Sequence, residues 1–183
     1  MQNIRHIVAA TDFSTPANMA IRRATLLTKE LGAELHLIHV VHPLDLYAGS
    51  ELSFDFQMHY QQMQQQLINT QLDVLARELR EQFAIVVHVS NRIGRAHSEI
   101  AAYASSINAG LIKAGAQGEN SILAKLLGST ALRLLKTATC PVMIVKNRLT
   151  PLQSYRQVVA AVDFSKGSAN VPTLASTIAP NAE

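Results

Sequence analysis

Apolar positions in this chain alternate between two rhythms. Ile4 to Ala10 is a nearly continuous apolar run, the pattern of a strand buried on both faces of a parallel sheet. Behind it, Ala17, Ala20, Ile21, Ala24, Leu27 and Leu31 recur at helical spacing. Pro16 suits the entry of that helix, Ser14 or Thr15 its N-cap and Gly32 its C-cap. Leu35 to Val41 returns to the strand rhythm, and the breakers Pro43, Gly49 and Ser50 predict a loop over 42–57. A long helix follows over 58–82, with Tyr60, Met63, Leu67, Val74 and Leu75 near one face. Its glutamine-rich stretch, Gln61 to Gln66, reads as solvated surface.

The alternation continues. Ala84 to Val89 predicts a third strand, and Ile100, Tyr103, Ala104 and Ile107 a further helix. Leu111 to Ala114 predicts strand four, Ala131 to Ala138 an amphipathic helix, and Pro141 to Lys146 strand five. Strands alternating with helices imply βαβ units with right-handed crossovers around a parallel sheet.

Between strand four and the next helix stands Gly115-Ala116-Gln117-Gly118, then nine residues, then Gly128-Ser129-Thr130. Gly115 and Gly118 allow positive φ and close approach of a ligand to the backbone. Gly128 and Ser129 fall where a helix begins, so unpaired N–H groups and the positive helix end point into the loop, a usual seat for phosphate.

The spacing Gly-x2-Gly-x9-Gly-Ser resembles the nucleotide-binding signature of the universal stress protein family. Ile4 to Ser14 is similar to that family's first strand and its Asp-x-Ser turn, Gly32 to Val41 to its second strand, and Cys140 to Lys146 to its last. The resemblance covers about the first 147 residues. It implies an α/β fold of the Rossmann-like, adenine nucleotide alpha hydrolase-like kind: an open parallel five-stranded sheet of order 3-2-1-4-5 with helices on both faces. In such sheets ligands bind beyond the carboxyl ends of the strands where the order reverses, here between strands one and four.

The resemblance also implies a cofactor, ATP, with room for Mg2+ on its phosphates. Ala10, Thr11 and Asp12 would line the adenosine end, and Val40 would contact the base through its backbone. Gly115, Gly118 and Gly128 would shape the loop, while Ser129 and Thr130 would bind phosphate oxygens. Asp12 has a second reading as a turn-forming residue with Ser14. Ala131 stands where some binders carry a hydroxyl, and Lys125 reads as a solvated lysine. The sequence departs from the family at Gly110, often an acid there, and at Lys113, a charge in mid-strand that is costly unless paired or snorkelling.

A second pattern is a repeat. Arg156 to Ser165 echoes Arg5 to Ser14 at an offset of 151 residues, and Asn181-Ala182-Glu183 echoes Gly32-Ala33-Glu34. The expected organisation is a universal stress protein domain at 1–147, a linker at 148–155, and the start of a second, truncated unit at 156–183. The tail then docks on the first unit, pairs with another chain or stays disordered. Strand five is an exposed edge if left unpaired, which points to a homodimer or to contact with a second unit.

Composition narrows the function classes. Formal charge is +3, and the basic residues are scattered without interleaved aromatics, so nucleic acid is not an expected partner. No apolar run is long enough to span a bilayer and the N-terminus lacks a signal-peptide pattern, so a cytoplasmic location is expected. The single cysteine, Cys140, fits a reducing compartment and reads as a small packed residue. His36, His39 and His42 invite a metal reading, but His36 and His39, three apart on a strand, face opposite ways and cannot share an ion; His88 and His97 have no partnering motif, and no metal site is expected.

No Gly-Lys-Ser/Thr follows the glycines, so this is no Walker loop, and neither a water-positioning base nor an arginine finger stands out. The reading is therefore an ATP-binding, nucleotide-responsive stress-survival factor rather than a dedicated enzyme. The alternatives are a non-nucleotide interaction module of the same fold and, third, a slow ATPase.

Overall fold

Strand β1 (His6–Thr11) lies at the centre of a parallel sheet and pairs with β2 (Glu34–Val41) on one side and β4 (Leu111–Gly115) on the other. The outer strands are β3 (Val87–Ile93) and β5 (Val142–Val145), giving the order β3-β2-β1-β4-β5 expected from the resemblance. The structure, a computed structural model, describes residues 4–42, 54–117, 127–146, 155–163, 165, 168–179 and 182. The helices are α1 (Thr15–Leu31), α2 (Phe54–Phe83), α3 (Ala96–Ser106), α4 (Ser129–Thr137) and α5 (Val171–Ile178).

The continuous apolar strands have the burial that their pattern requires. Alternate residues of β1 serve two cores: Ile7 and Ala9 join Ile21, Leu27, Leu72 and Leu79 beneath α1 and α2, while Val8 and Ala10 join Ile100, Ala104 and Leu134 beneath α3 and α4. Each Leu or Ile so buried contributes about 1.5–3 kcal/mol of transfer free energy.

Helix α1 begins and ends where its local chemistry dictates. The Ser14 hydroxyl accepts from the Ala17 N–H at 3.3 Å, Pro16 occupies the first turn, and Gly32 closes the helix at φ 60°. There the Ala33 N–H donates to the Thr28 carbonyl at 3.0 Å.

The expectations for the third strand and the long helix need correction. The third strand runs from Val87 to Ile93, not from Ala84, because Ala84 takes φ 53° as α2 ends. As an edge strand, β3 is partly solvated and tolerates the polar stretch Ser90-Asn91-Arg92, so an apolar run was the wrong signal. Helix α2 starts at Phe54, inside the expected loop, and its buried stripe is Leu72, Ala76 and Leu79 flanked by Ile68 and Leu75. Met63, Leu67 and Val74 of the expected face are exposed, since the stripe is offset around the helix. Arg156 to Asp163, the echo of the first strand, forms no strand among the described residues; Val159 is 95% exposed. A lone strand gains nothing without a paired edge.

The tail nevertheless keeps local features of the repeat. Asp163 accepts the Ser165 N–H at 3.0 Å, as Asp12 accepts the Ser14 N–H at 3.1 Å. Leu174 and Ile178 of α5 pack against the core under α1 and α2.

The two departures from the family pattern acquire physical accounts. A Cβ on Gly110 would stand 3.1 Å from the Ile4 backbone and side chain, so the position admits little beyond hydrogen. Lys113 is fully buried, its Nζ donating to the Arg23 carbonyl at 3.0 Å and lying 5.7 Å from the centre of the Tyr155 ring. Burial first, then the Arg23 charge, pushes its ammonium down to about 7, with Glu30 opposing. The Tyr155 hydroxyl donates to Met143 Sδ at 3.3 Å, which holds its ring beside the lysine.

Candidate functional site

At the carboxyl ends of β1 and β4 the sheet opens into a cavity of about 680 Å3, within the range of small-molecule sites. This is the topological switch point, where the chain leaves β1 and β4 toward opposite faces. Ala10, Thr11, Asp12, Val40, Gly115, Gly128, Ser129 and Thr130 all line it. Gly118 and Lys125 lie outside the described residues.

Three helices bring their first turns to the cavity: Ala17 from α1, Ala96 from α3, and Ser129, Thr130 and Ala131 from α4. No acidic side chain occupies the first turn of α4, so the positive end of that helix is not offset by its own residues, whereas the Asp12 carboxylate stands at the amino end of α1. Gly128 is the N-cap of α4 and supplies no side-chain acceptor to its amides. Its own N–H donates to the Ala116 carbonyl at 2.7 Å, while the Ala116 N–H donates to the Val145 carbonyl at 2.8 Å. These bonds fix both ends of the glycine loop against the sheet.

The glycines act differently from expectation at one position. Gly115 does not have positive φ; a Cβ there would meet the carbonyl carbon of Pro16 at 3.0 Å and the Ala17 nitrogen at 3.1 Å. Its glycine is required by the approach of α1 to β4, which shapes the cavity wall.

Asp12 makes the turn considered for it and also borders the cavity. Its Oδ1 accepts from the Ser14 N–H at 3.1 Å and from the Ser14 hydroxyl at 2.5 Å, making the turn, while the residue borders the cavity. The Thr11 hydroxyl accepts from the Phe13 N–H at 2.9 Å and supports the left-handed Phe13, φ 62°.

Two polar residues of the cavity, His39 and Gln64, lie outside the pattern set by the glycine spacing. His39 donates from Nδ1 to the Thr11 carbonyl at 3.0 Å, which fixes its tautomer, and it stacks on Phe13 with ring centres 5.0 Å apart. Burial pushes its imidazole below the ordinary range. Gln64, assigned to solvated surface, borders the cavity with Ile68 one turn away and donates to the Tyr60 hydroxyl at 3.1 Å. The signal was available: 64, 68, 72, 76 and 79 continue one helical stripe.

Histidines also meet at the other end of the sheet, where sequence spacing gave His88 no partner. His88 Nε2 lies 2.8 Å from Glu34 Oε2, and its ring stacks on His36 with centres 4.5 Å apart. The partners come from neighbouring strands, which spacing along one strand cannot reveal. His36 and His39 do face opposite sides, as expected: one joins this cluster, the other the cavity.

Among known proteins, a universal stress protein of Methanocaldococcus jannaschii is 28% identical over 142 residues, covering 78% of this chain and 82% of its own. The hypothetical protein MJ0577 has the same fold, with a TM-score of 0.70 at 22% identity, covering 81% of this chain and 99% of its own. A universal stress protein from Archaeoglobus fulgidus, solved in complex with dAMP, gives a TM-score of 0.53 at 17% identity and covers 80% and 100% of the two chains. Residues 3–146 match the family model itself, and the chain belongs to the universal stress protein family.

Proposed function

We propose that the crevice between β1 and β4 binds ATP and that the chain works as a nucleotide-responsive regulatory factor. The observation that carries this reading is the convergence of eight expected residues on one cavity, with the uncapped amino end of α4 at its rim. The dAMP complex of a protein with this fold adds support for an adenine nucleotide. Ala10, Thr11 and Asp12 line the adenosine end and the Val40 backbone meets the base. Gly115, Gly118 and Gly128 shape the loop, and Ser129 and Thr130, with the free amides of α4, take the phosphates, Mg2+ accompanying them. Binding acts through differential affinity for two conformations or two partner states, with slow hydrolysis at most.

The test is Ser129→Glu. A carboxylate in the first turn of α4 favours the helix by about 0.3–1 kcal/mol but repels phosphate. ATP affinity should fall at least tenfold by calorimetry while adenosine affinity and Tm hold. Equal ATP affinity in the variant sinks the phosphate assignment. Absence of ATP binding by the parent protein, with or without Mg2+, leaves the fold as a protein-interaction module. ADP released faster than in Ser129→Glu makes it a slow ATPase.

The shared Asp-x-Ser turn supports reading 156–183 as the front of a second unit, joined to the 1–147 domain by a linker at 148–155. β5, at the end of the sheet order, offers an edge for pairing with a second copy or such a unit in the cytoplasm. Sedimentation at micromolar concentration should then show a dimer; a strict monomer excludes edge pairing between copies. No helix among the described residues is long and apolar enough to cross a membrane.

A further inference from the structure

The register of the three strands β1, β2 and β3 brings four metal-ligating side chains together at their amino ends, away from the nucleotide crevice. His6 stands beside Glu34 and His36 beside His88 in the parallel pairing. Because 34 and 36 are two apart on one strand, they share a sheet face. We propose that His6 Nδ1, Glu34 Oε2 and His36 Nε2 form a site for a divalent transition ion of the zinc class.

The donor atoms lie close to coordination spacing without yet reaching it. His6 Nδ1 and His36 Nε2 are 3.2 Å apart, His6 Nδ1 and Glu34 Oε2 are 3.8 Å apart, and the three donors lie within 4.8 Å of one another. With Zn–N and Zn–O bonds of about 2.0–2.2 Å, tetrahedral neighbours stand about 3.3–3.6 Å apart. Small side-chain rotations close the difference. Two imidazoles and one carboxylate are a borderline donor set that suits Zn2+ better than Ca2+ or Mg2+. Three protein ligands leave a fourth position for water. His6 and Glu34 are 32% and 43% exposed, so an ion can enter from solvent.

The surroundings hold these ligands in place. His36 Nδ1 is 3.0 Å from the Tyr103 hydroxyl, a partner that can accept the Nδ1–H and leave the Nε2 lone pair directed at the site. His88, 2.8 Å from Glu34 Oε2, positions the carboxylate. Its ring stacks on His36, so the two in-plane lone pairs run side by side and do not converge; His88 is a positioning residue. A plain hydrogen-bonded cluster is the competing account, and it predicts no metal affinity.

The experiment is a calorimetric titration of the metal-stripped 183-residue chain, free of any histidine tag, with ZnCl2. Binding should saturate at one Zn2+ per chain and raise Tm. His6→Gln and Glu34→Gln, both at partly exposed positions, should each weaken affinity about 100-fold, and His88→Gln about 10–100-fold. No saturable binding overturns the proposal, as does binding that survives both His6→Gln and Glu34→Gln, which would place the ion on other histidines. Unchanged affinity in His88→Gln overturns its positioning role. Ser129→Glu at the opposite end of the strands should bind Zn2+ like the parent, so this outcome is independent of the ATP assignment.

Discussion

Replacing Lys113 by Met should stabilise the protein at pH 7 and flatten its stability between pH 7 and 10. The ammonium is fully buried, with one carbonyl partner on α1 and one aromatic ring beside it. Burial, reinforced by Arg23 and only partly opposed by Glu30, lowers the folded-state value from 10.5 to about 7. Below pH 7 both folded and unfolded chains carry the charge, and the folded state bears the whole penalty. Between about 7 and 10.5 the unfolded state binds the extra proton, so stability rises with pH. A shift of that size corresponds to at most about 5 kcal/mol between the two ends of this pH window. Lys113→Met, similar in volume, should gain about 1–3 kcal/mol at pH 7 in urea unfolding. It should also lose the rise toward pH 10. A variant destabilised at pH 7 would show that the contacts with Arg23 and Tyr155 outweigh desolvation.

The second large effect is expected at Gly115→Val. A Cβ there lies 3.0 Å from the Pro16 carbonyl carbon and 3.1 Å from the Pro16 oxygen and the Ala17 nitrogen. All three atoms are backbone, in the proline-stiffened first turn of α1, so no rotamer change relieves the contact. The turn must move off β4, which loosens the core under α1 and widens the cavity bordered by Ala17 and Gly115. Overpacking of this kind costs about 3 kcal/mol, or a Tm lower by about 6–12 °C. Gly32→Ala separates space from conformation: nothing lies within 4 Å of its Cβ, but φ is 60°. It should cost about 1–2 kcal/mol through backbone strain alone, leaving nucleotide affinity intact. A thermally unperturbed Gly115→Val would refute the packing role given to this glycine.

Much of this molecule was legible in its residues, but unevenly. The strand and helix order followed from apolar rhythm, and the ends of α1 from Ser14, Pro16 and Gly32. The residues grouped at the crevice were identified by glycine spacing and resemblance, and the structure places all the described ones on one cavity. The failures have a common form. β3 carries no continuous apolar run because an edge strand needs none. On α2, Met63 and Leu67 are as apolar as Leu72, and only packing decides which row meets the sheet. The expected positive φ at Gly115 was a local explanation for a residue whose constraint comes from a helix crossing above it.

By itself, then, the sequence determined what depends on neighbouring residues: φ at Gly32, the cap at Ser14, the Asp-x-Ser turns, and which side of a strand each residue faces. Periodicity states a side but not the occupant opposite. Lys113 finds its acceptor 90 positions away on α1, and Tyr155 reaches it from beyond β5. His6, Glu34, His36 and His88 become neighbours only when three strands pair in register. Those meetings are fixed by crossover handedness and strand registry, which are settled by packing of the whole sheet.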